Sequence, residues 1–78
     1  MAVSTADLDW IPVSSSNVAA IAWNEDFKRL FVRFHSGSTY FYDSVERATF
    51  YAFRNAPSKG QFVDRVLKKG GFAYKRIA

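Results

Sequence analysis

The sequence predicts an α+β domain: a small antiparallel sheet with two helices packed on one face, in the order β-β-β-α-α-β. Three observations carry this expectation. Residues 29–34 alternate strictly, with Leu30, Val32 and Phe34 on one side and Arg29, Phe31 and Arg33 on the other, the period of a strand. Val45, Thr49, Phe50, Phe53 and Ala56, and then Phe62, Val63, Val66 and Leu67, recur at helical spacing. Gly37, Pro57 and the Gly70-Gly71 pair punctuate the chain between these segments.

At 78 residues there is room for one hydrophobic core and no separate catalytic domain. The 14 aromatic rings supply much of the buriable area so small a chain needs. With no cysteine there is neither a disulfide framework nor a thiolate metal site, a composition suited to a reducing compartment. The N-terminus lacks the basic start and apolar run of a signal peptide, and no stretch is long and apolar enough to span a membrane. The expectation is a cytoplasmic protein with no membrane partner.

In chain order, residues 1–12 read as an N-terminal extension, polar and acidic, mobile unless Trp10 docks. Pro12 and Ser14-Ser15-Ser16 interrupt any regular pattern, and Val18 to Trp23 forms a first strand. Asn24-Glu25-Asp26 supplies the turn into residues 29–34. His35-Ser36-Gly37 reads as a three-residue hairpin loop with Gly37 in the left-handed conformation, leading to a strand from Ser38 to Tyr42. Loop length sets side-chain parity. Three residues place Tyr40 opposite Val32 and Tyr42 opposite Leu30, on the core side; two or four move both rings beside Phe31 and Arg33.

Asp43 and Glu46 have the spacing of a capping box for the first helix, which Pro57 stops. Ser58 with Gln61 marks the start of the second, Gly70-Gly71 its end, and Phe72 to Ile77 a final strand. As a cap, Ser58 is expected to matter more to stability than Ser15.

Charge is unevenly distributed. Residues 1–26 hold four acidic and no basic residues, whereas from Phe27 onward eleven basic residues face three acidic ones. That asymmetry favours an anionic partner, or an acidic arm lying over a basic surface. A metal site is not expected, because His35 is the sole histidine. Nor is a catalytic site: the serines at 14–16 have no base near them in sequence, and Glu25-Asp26 sit in a turn where acidic residues are common. No cofactor is implied. Ser58-Lys59-Gly60 at a helix start is read either as a phosphate site or as an ordinary N-cap. Arg29, Phe31, Arg33 and Phe41 on the sheet, with Arg47, Tyr51 and Arg54 on the first helix, interleave rings with cations as single-stranded nucleic acid requires, or else pack as core or interface.

Four segments together resemble a known family. Val13-Ser14-Ser15-Ser16-Asn17-Val18, then Leu30-x-Val32-x-Phe34-x-x-Gly37-x-x-Tyr40-x-Tyr42, then Ala56-x-Ser58-x-Gly60-x-Phe62, and finally Tyr74-x-Arg76-Ile77 are similar to the KTSC domain, so that 13–78 is the KTSC-like domain. That domain is named for its place at the C-terminus of some lysyl-tRNA synthetases and also occurs as a stand-alone bacterial or phage protein. The resemblance implies RNA binding by association and brings no catalytic residues. Asp64 stands where the family commonly has Asn, and Phe72 where it commonly has Tyr, so a polar contact through either position is not carried over.

The expectation is therefore a small non-catalytic module that binds nucleic acid, RNA in preference. Lys59, Arg65, Lys68, Lys69, Arg29 and Arg33 would meet phosphates, and Phe31, Phe41 and Tyr51 would stack on bases. The alternative is a protein-interaction module whose rings meet a protein partner or a second copy of the chain.

Overall fold

Residues 8–77 are described in the computed structural model. Five strands form one sheet in the order β1-β2-β3-β4-β5, every neighbouring pair antiparallel. They are β1 (Ile11–Pro12), β2 (Val18–Asn24), β3 (Arg29–Phe34), β4 (Thr39–Tyr42) and β5 (Tyr74–Arg76). Between β4 and β5 lie α1 (Arg47–Asn55) and α2 (Lys59–Phe62), the latter running on as a π-helical segment (Val63–Lys68). None of the described helices is long and apolar enough to cross a membrane.

The β3–β4 hairpin has the three-residue loop. Phe34 N donates to Ser38 O, Gly37 N donates to Phe34 O, and Gly37 has φ +96°. Leu30 therefore faces Tyr42 and Val32 faces Tyr40. This parity puts Leu30, Val32 and Tyr42 into one buried cluster with Val45, Phe50, Phe53, Val63 and Leu67, so both helices cover the same sheet face. Val18 and Ile21 join that cluster although they are three residues apart, which a regular strand does not allow. The register shifts between Val18 and Ala20, a bulge at Ala19 that restores Val18 to the core side.

Three expectations need correction. Of the extension 1–12, residues 1–7 lie outside the described residues, but Ile11 and Pro12 pair with Ile21 and Ala20 as an additional edge strand. Pro12 is tolerated there because an edge strand has no neighbour on one side to demand its missing N–H. The Asp43–Glu46 capping box does not form. Glu46 occupies the N-cap of α1 without a side-chain bond; its carboxylate takes Lys28 Nζ at 3.2 Å, and Asp43 takes Arg29 Nε at 2.9 Å. Ion pairing to a neighbouring strand has outcompeted local capping. The last strand is also shorter than expected, Tyr74–Arg76 rather than Phe72 to Ile77.

The second helix starts as expected, with Ser58 Oγ accepting from Gln61 N. Ala56 at the end of α1 is extended (φ −65°, ψ 137°), as a residue before proline prefers.

Candidate functional site

The helix-free sheet face carries Arg29, Phe31, Arg33 and Phe41, as the alternation requires. Their interaction capacity is largely used within the chain. Phe31 is only 2% exposed, with Trp10 edge-on to it at 6.4 Å and Phe41 beside it at 5.8 Å. The Arg33 guanidinium lies 4.2 Å from the centre of the Trp10 ring, so Trp10 docks. Arg29 lies 4.5 Å over Phe41 and 5.3 Å over Phe27 while holding Asp43. Each guanidinium covers a ring that a base would otherwise stack on.

The cations of the second helix are dispersed. Lys59 Nζ donates to the Ala56 carbonyl at 2.6 Å, tying the helix to the end of α1. Arg65 borders a shallow groove with Pro57 and Phe62, whereas Lys68 lines a different cleft, and Lys69 is exposed at the helix end. The π-helical segment is the cause. Its bonds run to the fifth residue, so positions three apart no longer share a face as they do in an α-helix. Tyr51 is 48% exposed on α1, leaning on Phe50. Nearby, Arg47 pairs with Glu25, which leaves Arg54 exposed at the end of the helix.

What the fold assembles instead is a cleft on the helix side of the sheet, beyond the reach of α1. Its larger part, about 710 Å³, is lined by Ser16, Asn17, His35, Ser58, Gln61 and Asp64, among others. A smaller part, about 310 Å³, is lined by Tyr40, Tyr42 and Tyr74 with two serines. Phe34, Ser36 and Lys68 border both, so the two parts adjoin and Lys68 stands between them.

Local chemistry holds the polar part in shape. Ser15 Oγ accepts from Asn17 N at 3.3 Å and Val18 N at 3.2 Å, closing the turn into β2. His35 is exposed, yet its backbone N donates to Asn17 O at 2.9 Å and its ring Nε2 lies 2.8 Å from Ser15 O. A carbonyl only accepts, so Nε2 carries the proton and the ring ties the hairpin loop to the serine segment. Gly60 completes the wall. A β-carbon there would lie 2.9 Å from Asn17 Nδ2, so the glycine lets the helix start approach the serine segment. Ser15 Oγ thus accepts from two backbone N–H groups and Ser58 Oγ from one, so the cap expected at Ser58 is present and the ranking of the two serines is a matter for denaturation.

The tyrosine part is an aromatic chain. Tyr40 meets Phe34 edge-on at 5.8 Å, and Tyr74 lies 6.2 Å from Tyr40 and 5.8 Å from Tyr42. Tyr42 is buried, and burial, with Tyr40 and Tyr74 alongside, pushes its phenol above the ordinary value. It stays a neutral hydroxyl in ordinary conditions. Tyr74, in contrast, is 62% exposed, because β5 is an edge strand that no helix covers. Among the described residues no cluster of three metal-ligating side chains occurs.

Of the cations and rings chosen from sequence, Lys68 alone lines this cleft, joined by Ser58 and Gly60 of the helix start that the sequence also singled out. Asn17, Gln61, Asp64, Tyr40 and Tyr74 were not chosen. The available signal was that all four family-like segments contain cleft residues, which shows only once the chain is folded.

Comparison with known proteins agrees with this architecture. A model of the KTSC domain matches residues 14–72. Among solved structures, the crystal structure of a KTSC domain protein from Yersinia pestis is similar over 91% of this chain and 99% of its own, with 35% identity and a TM-score of 0.84. No curated protein matches.

Proposed function

The chain belongs to the KTSC domain family, and from the cleft it carries we propose that it is a non-catalytic module binding single-stranded nucleic acid, RNA in preference. One observation carries the reading: the exposed Tyr74 ring and the half-buried Tyr40 ring share a cleft with Lys68, a cation that also borders the polar part. Single strands are held by rings that stack on bases and cations that follow the backbone. The tyrosine part offers the stack, and Lys68 suits the phosphate joining one nucleotide to the next. Arg76, opposite Tyr40 on β5, adds charge along the same edge. Preference for RNA draws on the hydroxyl- and amide-rich wall of Ser16, Asn17, Ser58 and Gln61, which matches a ribose 2′-hydroxyl, and on the family's association with lysyl-tRNA synthetases.

The protein-interaction alternative draws on Phe27, Tyr51 and Tyr74, which are 47%, 48% and 62% exposed. They lie on a turn, a helix and a strand, and no two of them are in ring contact, so they form no aromatic cluster.

A fluorescence-anisotropy titration of labelled single-stranded RNA at low salt tests the proposal. With about two phosphates neutralised, at roughly 0.7 counterions each, the log–log salt slope is near −1.4. Raising salt from about 50 to 200 mM then weakens binding roughly seven-fold. Tyr74→Ala loses the stack, worth about 1 to 3 kcal/mol, and Lys68→Glu both weakens binding and flattens the slope. No binding at tens of micromolar protein, or binding indifferent to both substitutions, rejects the reading and favours a protein partner.

A further inference from the structure

The polar part of the cleft contains a group that a phosphate site should not. Asp64 lines it together with Lys68 and is exposed to solvent. Among the described residues its carboxylate forms no ion pair and accepts no side-chain hydrogen bond. A carboxylate without a cation partner repels a phosphodiester, so the backbone of a bound strand must run past Lys68 and not past Asp64. A nucleotide held beyond Lys68 would then meet Asp64 with its base and not with its phosphate. Two more side chains there, Asn17 and Gln61, end in amides that both donate and accept.

We infer that this part of the cleft is a base-reading subsite selective for guanine. The inference rests on the nucleic-acid reading above and names the base for that same cleft. An ionised carboxylate only accepts, and its two oxygens suit two parallel N–H donors. Guanine presents such a pair, N1–H beside its exocyclic amine, on its Watson–Crick edge. Cytosine and adenine each offer one amine beside a ring nitrogen that accepts, and uracil offers one N–H between two carbonyls. Each of those three sets an acceptor against the carboxylate. The tyrosine part has no comparable preference, because every base has a face to stack. The cleft thus takes a two-nucleotide step: any base on Tyr74 and Tyr40, the bridging phosphate at Lys68, and guanine against Asp64.

The test is anisotropy titration with short labelled oligouridines, either unmodified or carrying a single central guanine, adenine or cytosine. The guanine oligomer binds tighter than the other three by about five-fold or more, the lower bound for one good bidentate base contact. Asp64→Asn replaces one acceptor by a donor and removes the charge that repels the strand, so it abolishes that advantage, binds oligouridine no more weakly than the parent protein and leaves the thermal midpoint unchanged. Equal affinity for all four oligomers, or a guanine preference that survives Asp64→Asn, overturns the subsite while leaving the strand-binding proposal standing. Failure of every oligomer to bind overturns both.

Discussion

Replacing Gly70 by alanine should destabilise the fold severely, whereas the same change at Gly60 should not, because different atoms stand in the way. At Gly70 the new β-carbon would fall inside the van der Waals shell of the Val66 carbonyl oxygen and 3.0 Å from the Phe72 ring. Carbon–oxygen contacts settle at about 3.3 to 3.6 Å, so the turn must open by on the order of 1 Å. Gly70 N donates to that same Val66 oxygen at 2.9 Å, and opening the turn breaks the bond, at about 0.5 to 1.5 kcal/mol. Phe72 packs against the core and is half-buried; partial loss of its burial adds about 1 kcal/mol. The total, roughly 1.5 to 2.5 kcal/mol, is a large share of the roughly 4 to 12 kcal/mol expected of a domain this size. At Gly60 the obstacle is the tip of the exposed Asn17 side chain, which can swing away. That costs about 0.5 to 1.5 kcal/mol in rotamer strain and is offset by the 0.5 to 1 kcal/mol gained by alanine in a helix. Urea denaturation followed by circular dichroism reads the difference. With a slope of about 1 kcal/mol per molar, Gly70→Ala lowers the midpoint by about 1.5 to 2.5 M and Gly60→Ala by less than about 1 M. Equal midpoints would refute the reasoning, since it rests wholly on backbone being less yielding than a side-chain tip.

Two further outcomes are expected. Ser15→Ala should cost at least as much as Ser58→Ala, each within about 0.5 to 2 kcal/mol, because Ser15 Oγ serves two backbone N–H groups and Ser58 Oγ one; a clearly larger loss at Ser58 in thermal denaturation would show that the turn before β2 contributes little. Tyr42 holds its proton more tightly in the folded than in the unfolded chain, whose phenol titrates near 10.0, so its contribution is complete below that pH and is lost as pH rises from there through the raised native value. Thermal midpoints measured from neutral pH to about pH 11 should fall less steeply for Tyr42→Phe than for Tyr51→Phe; parallel curves would mean that Tyr42 is not the group responsible.

How much of this was readable before folding follows from the range of the interactions involved. Strict alternation from Arg29 to Phe34 and the chemistry of the Ser36-Gly37 loop are local, and they set the hairpin register that sends Tyr40 and Tyr42 to the helix side. Pro57 and Ser58 likewise mark the break between helices through their own backbone preferences. The same residues and the four family-like segments were enough for the α+β class and the family. The strand at Ile11–Pro12 was not readable, because it exists only by pairing with β2. Nor was the fate of Asp43, which forms a good capping box on paper but finds Arg29 across the hairpin. The cleft shows the limit most clearly. Asn17, His35, Ser58, Asp64, Lys68 and Tyr74 come from distant parts of the chain, and the π-helical turn that separates Lys68 from Arg65 has no marker of its own in the sequence. Local rules act over a few residues and so announce strands, turns and caps. A site made of side chains far apart in sequence takes form only when packing of the helices against the sheet brings them together.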